Sequence, residues 1–132
     1  MELVVDTSVI IAVLTSEPER AALVKQTRGA ELVAPKSVHW EVGNALGAML
    51  KRKRISLDQA LQAVDSYHQI PLRMVEIDLE AALEIADTHG IYAYDAYVIG
   101  AALRQRCALL ALDKGLLRAA RAAGCRVIEV SK

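Results

Sequence analysis

The chain has 132 residues, with 16 Lys and Arg against 16 Asp and Glu, so its formal net charge is zero. That balance excludes a globally basic nucleic-acid binder and leaves polyanion contacts to local patches, of which Lys51-Arg52-Lys53-Arg54 is the clearest. Hydrophobic residues make up 54%, yet Phe is absent and Trp occurs once, so the core must be Ala, Val, Leu and Ile, as suits parallel strands covered by helices.

Leu3–Asp6 reads as a short buried strand, and the hydroxyls of Thr7 and Ser8 can cap the helix that follows. Pro18 marks a new helix running to about Arg28, Gly29-Ala30 a turn, and Glu31–Ala34 the second strand. Pro35-Lys36-Ser37 opens a long helix ending near Arg54, and Leu57–His68 is another helix with Ser56 as its N-cap. Pro71 precedes the third strand, Arg73–Ile77; Asp78 then caps a helix that Gly90 stops after His89. Tyr94–Gln105 is a helix, Ala108–Leu112 the fourth strand, Asp113–Ala123 a helix and Arg126–Val130 the fifth strand. The alternation, with a helix pair inserted between strands two and three, predicts an α/β fold with a five-stranded, mainly parallel sheet and helices on both faces. Right-handed crossovers put the strand carboxyl ends on one edge, where open α/β sheets bind ligands.

The length suits one domain over residues 1–132. No apolar stretch reaches the roughly 18–20 residues of a membrane span. The N-terminus lacks a basic region and cleavage site, so no membrane association and a cytoplasmic location are expected. Cys107 and Cys125 form no metal motif, and each just precedes an expected strand. In a reducing compartment both thiols are expected to stay reduced.

Four carboxylates carry the chemistry. Asp6 ends the run Leu3-Val4-Val5, and Asp113 follows Ala108–Leu112 in the same way. Each can be an N-cap, and the repetition points to a shared site at the sheet edge. Asp95 lies on the apolar stripe Val98, Ile99, Ala102 and Leu103, near a helix N-terminus. A lone ionised carboxylate facing a core is costly. Glu41 is the odd residue among Val38, Val42, Ala45 and Leu46; Asn44, three residues on, can orient it or bind a ligand. Gly43 and Gly47 permit close backbone approach to the sheet or to another subunit. Two carboxylates about 5 Å apart repel by roughly 3 kcal/mol at an effective dielectric of 20. A group of them must share protons or hold a cation. All-oxygen ligation without a Cys or His cluster selects Mg²⁺ or Mn²⁺, which suit water activation and stabilisation of phosphoryl oxygens. His39, His68 and His89 lack ligand spacing. Tyr92, Tyr94 and Tyr97 are expected in the core and pocket wall, with base stacking as the alternative, and Trp40 in the core or a dimer interface.

In motif order the chain resembles the PIN-domain ribonucleases, and most nearly the VapC toxins of toxin–antitoxin pairs. Val4-Val5-Asp6-Thr7-Ser8-Val9-Ile10 is similar to the family's opening strand and first acidic residue. Trp40-Glu41-Val42-Gly43-Asn44-Ala45-Leu46 is similar to its acidic helix, Tyr94-Asp95-Ala96-Tyr97-Val98-Ile99-Gly100-Ala101-Ala102 to its third block, and Leu110-Ala111-Leu112-Asp113-Lys114-Gly115-Leu116 to its fourth. The family often has Thr or Ser where this chain has Ala111. The resemblance implies a three-layer PIN-like fold with strand one central. It implies a metal site of Asp6, Glu41, Asp95 and Asp113, with Thr7, Ser8 and Asn44 in support. It further implies Mg²⁺- or Mn²⁺-dependent cleavage of RNA, a homodimer, and a cognate VapB-type antitoxin that blocks the acidic pocket.

Other readings stay open: a non-catalytic binding module of the same fold, and a PIN nuclease with a housekeeping role. A haloacid-dehalogenase-type phosphatase wants a second Asp at position 8, which is Ser8. A receiver domain wants an acidic pair at strand one, and a dinucleotide fold wants a Gly-rich turn there; neither is present.

Overall fold

The computed structural model describes residues 1–130. In chain order the elements are β1 (Glu2–Val5), α1 (Thr7–Leu14), α2 (Arg20–Thr27), β2 (Glu31–Pro35), α3 (Val38–Lys51), α4 (Leu57–Gln69), β3 (Leu72–Val75), α5 (Leu79–His89), α6 (Ala93–Gln105), β4 (Ala108–Ala111), α7 (Lys114–Ala122) and β5 (Val127–Glu129). The strands form one sheet in the order β3-β2-β1-β4-β5 with β1 central, and every neighbouring pair is parallel. The α/β/α fold expected from the sequence is thereby realised, with the strands all parallel.

Side-chain alternation along the short strands divides the core into two layers. Leu3, Val5, Ala34, Ala108 and Leu110 face one side, where Val9, Ile10, Leu23, Val38, Val42, Leu46 and Tyr67 of α1 to α4 cover them. Val4, Val33, Leu109 and Ala111 face the other side, against Val98, Ile99, Leu116, Leu117 and Ala120 of α6 and α7. The strands are buried on both faces, which is why they read as continuous Val, Leu and Ala runs. Among the described residues no helix is long and apolar enough to cross a membrane.

Local signals set several boundaries. Ser56 and Gln59 form a reciprocal capping box on α4. The Asp78 side chain accepts from the Ala81 amide to start α5, and Gly90 ends it in the left-handed region with φ 63°. Other expectations need correction. The helix assigned to Pro18 begins at Arg20, because Pro18 lies in a turn in which the Arg20 side chain donates to the Val13 carbonyl at 3.2 Å. Pro35 opens no helix: it is the last residue of β2, paired with Val75, and α3 starts at Val38. That helix stops at Lys51, and Lys53 turns to φ 57°, so Lys51–Arg54 forms an exposed helix end.

Candidate active site

The carboxyl edge of the sheet collects side chains from four elements. β1 delivers Asp6 there, and its amide donates to the Leu110 carbonyl at 3.1 Å, extending the β1–β4 ladder by one residue. Asp6 is 8% exposed. Its Oδ2 accepts from the Ser8 amide at 3.2 Å, so Asp6 itself caps α1. The expected capping by Thr7 and Ser8 is therefore replaced. Thr7 is the first helical residue, and the Ser8 hydroxyl accepts from the Leu112 amide at 3.2 Å, tying α1 to the end of β4. β4 leads to Asp113, whose Oδ1 accepts from the amides of Gly115 at 2.8 Å and Leu116 at 3.3 Å and caps α7. For Asp6 and Asp113 capping and a place in the carboxylate group coexist, since one oxygen serves the cap in each.

Glu41 projects from the first turn of α3 and Asp95 from the first turn of α6. Helices that return the chain to a parallel strand begin at its carboxyl edge, which brings these turns beside Asp6. The carboxyls influence one another across that edge. Burial pushes the Asp6 carboxyl above its ordinary value, the Ser8 contacts oppose this, and the Asp113 charge adds to it. Burial pushes Glu41 up to about 7, with the nearby Ser37 hydroxyl opposing and the Asp6 and Asp95 charges adding. Asp95 is raised by burial first, then by Asp6 and Asp113.

Three buried oxygens at this edge, Thr7 Oγ1, Ser37 Oγ and Glu41 Oε2, have no hydrogen-bond partner among the described residues. The Ser37 and Thr7 hydroxyls are close enough to favour ionised Glu41, yet neither makes a well-formed hydrogen bond to it. Orphaned buried oxygens are uncommon and call for a partner such as water or an ion. The donor set is hard and oxygen-only, which fits Mg²⁺ or Mn²⁺. Among the described residues no three Asp, Glu, His or Cys side chains stand at direct ligating spacing. Mg²⁺ takes one or two carboxylates and completes its shell with water.

Several supporting residues differ from expectation. Asn44 is exposed, and no hydrogen bond joins it to Glu41 among the described residues; Ser37 and Thr7 take that neighbourhood instead. A Cβ on Gly43 or Gly47 would meet nothing within 4 Å, so within this chain neither glycine serves a close approach. Trp40 is 71% exposed and is therefore no core residue; the His39 ring meets its edge at 5.1 Å. Tyr92 and Tyr94 are 86% and 53% exposed, so neither is a core residue, while Tyr92 does take a place in a pocket wall. Leu103, assigned to the buried stripe of α6, is exposed.

A cleft of about 430 Å³ borders the group, lined by His89, Tyr92, Asp95, Asp113, Gly115 and Arg118. A second groove of about 400 Å³ borders it on the α1 side, lined by Thr7, Ser8, Glu17, Glu19, Ala45 and Leu112. Ser37 and Arg118 were not singled out from sequence. Ser37 precedes Glu41 by one helical turn, a spacing that could have marked it.

A parallel sheet that gathers acidic side chains at its carboxyl edge is a nuclease-like arrangement. Residues 3–122 match the PIN domain. The chain belongs to the PIN-domain family, a class of nucleases. Its fold is similar to that of PAE2754 from Pyrobaculum aerophilum, with a TM-score of 0.73 at 21% identity over 96% of this chain and 83% of that one. It is also similar to a chain of VapBC2 from Rickettsia felis, bound to a DNA fragment from their promoter, with a TM-score of 0.71 at 11% identity over 99% and 100%. FitAcB from Neisseria gonorrhoeae gives 0.65 at 18% identity over 96% of each chain. No curated protein matches by sequence.

Proposed function

We propose that this chain is a Mg²⁺- or Mn²⁺-dependent endoribonuclease and the toxin of a type II toxin–antitoxin pair. The observation that carries the reading is the gathering of Asp6, Glu41, Asp95 and Asp113 at one sheet edge, where burial first and the neighbouring acids second raise the carboxyls of Asp6, Glu41 and Asp95 above their ordinary values. Asp6 and Asp95 are the principal ligands, and Glu41 and Asp113 complete the site. When bound, the cation supplies water activation and charge stabilisation at a phosphoryl oxygen. The protein's own part is orientation. The cap bond from Ser8 engages one oxygen of Asp6, and the α7 cap engages one oxygen of Asp113, so the second oxygen of each takes no part in its cap. Glu41, pushed up to about 7 in the metal-free chain by burial first, gives up its proton when a cation is bound, so metal binding is coupled to proton release near neutral pH. Ala111 is fully buried against α6 and α7 and has no hydroxyl to offer the site.

A VapB-type antitoxin, a homodimer and a cytoplasmic setting belong to the same proposal. Of these, the antitoxin is supported by the shared fold with chains from VapBC2 and FitAcB. A single domain spanning 1–132 is part of it too. The non-catalytic module remains the rival reading, favoured by the absence of direct ligating spacing among the described residues. The decisive experiment is RNA cleavage by metal-stripped protein, then with Mg²⁺ or Mn²⁺ added, beside Asp6→Asn. Metal-dependent cleavage lost in Asp6→Asn supports the nuclease. No cleavage together with no calorimetric metal binding supports the module.

A further inference from the structure

We infer that Tyr92 and Arg118 form a nucleotide subsite beside the carboxylates, on which one unpaired base of a single-stranded RNA stacks while its flanking phosphate meets the guanidinium. The inference rests on the nuclease reading above.

Two grooves border the carboxylate group, and their charges differ. The α1-side groove carries Glu17 and Glu19, which repel a polyanion. The opposite cleft carries Arg118 on walls it shares with Asp95 and Asp113. Among the described residues Arg118 takes part in no ion pair, unlike Arg73 and Arg121, which are engaged by Glu2 and Glu129. Of the two grooves, the Arg118 side is therefore the one that offers a cation to the next phosphate of an RNA strand held at the carboxylates.

Tyr92 stands at the rim of this cleft, at the start of α6, and is 86% exposed. Its neighbours Tyr94 and Tyr97 pack edge to face at 5.8 Å, whereas Tyr92 has no aromatic partner among the described residues. Its side chain makes no capping bond. A large aromatic with neither packing nor capping work contributes nothing to folding that a small residue would not. Its open ring face is what an unpaired base uses. A base-paired duplex keeps its bases stacked inside and cannot present one to this rim, so the subsite selects single strands, loops or frayed ends.

The test uses Asp6→Asn as background, since Asn is also a favoured N-cap and the variant lets binding be read without cleavage. The probe is a short fluorescein-labelled RNA of mixed sequence, single-stranded or annealed to its complement, titrated by anisotropy with Mg²⁺. Adding Tyr92→Ala is expected to weaken single-strand binding about tenfold, and Tyr92→Phe to restore it. Neither should alter duplex binding. Arg118→Gln is expected to flatten the plot of log affinity against log salt by about 0.7. Absence of single-strand binding by the background protein overturns the subsite. So does unchanged affinity in Tyr92→Ala, or a Phe variant as weak as the Ala variant. The two readings fail separately. Metal-dependent cleavage by the parent with Tyr92 irrelevant to binding removes the subsite alone. Tyr92-dependent binding by a parent that never cleaves removes the nuclease alone.

Discussion

At Asp95 a half-buried carboxylate at a helix start is raised by burial and by two other acids, and no cap bond to its side chain compensates. Asp95→Asn removes one charge from the group without changing its shape. In metal-free protein the melting temperature is therefore expected to rise, by about 3 °C per kcal/mol of relieved repulsion for a chain of this size. The same variant should abolish the stabilisation that Mg²⁺ gives the parent. Scanning fluorimetry with and without Mg²⁺ reads both. Destabilisation by the variant, with no Mg²⁺ effect on the parent, contradicts a cation site. Glu41 sets a pH dependence. Its proton is held more tightly in the folded chain, to about 7 against an ordinary 4.5, so the stability it contributes is fully present below 4.5. That stability is lost as pH rises through about 7. Metal-free protein should thus melt progressively lower between those limits, and Glu41→Gln should flatten the slope. An equal slope in both proteins would assign the effect to other groups.

At the scale of elements, caps and crossovers place the acids. Two of the four are themselves caps, so α1 and α7 start at the carboxylate group. Gly90 shows how much one turn matters. It ends α5 at φ 63°, and a Cβ there would touch nothing within 4 Å, so Gly90→Ala tests backbone strain alone. The expected loss is about 1 kcal/mol, read by urea denaturation. Because Gly90 also turns the chain toward Tyr92 and Asp95, cleavage should fall with it. The cap residues Ser56, Asp78 and Gly90 were legible from sequence, because their side chains or their lack of one act within a few residues. Pro18 and Pro35 misled, since a proline's fixed φ suits a turn or a strand end as well as a first helical turn.

For the whole molecule, stability rests on a sheet covered on both faces. Leu109 and Leu110 are adjacent on β4 and fully buried, yet they enter different layers. Leu109→Ala and Leu110→Ala should each cost about 3 kcal/mol by urea denaturation, and the two losses should add approximately, since the side chains share no layer. Strong non-additivity would mean that the layers relax together.

The sequence by itself determined the α/β class, the run of elements and the acidic positions, because each is written in local periodicity or in a carboxylate placed against apolar neighbours. It misjudged Leu103, and of the places offered for Trp40 and Tyr92 the core failed, because exposure depends on which helix faces are left uncovered by the rest of the chain. Only the tertiary structure decided that Ser37 and Thr7, rather than Asn44, lie beside Glu41. It alone placed Arg118 in the same cleft as Asp95 and Asp113, through a parallel sheet whose order β3-β2-β1-β4-β5 is no sequence order. Such neighbourhoods join residues tens of positions apart, and they exist only once the crossovers have closed.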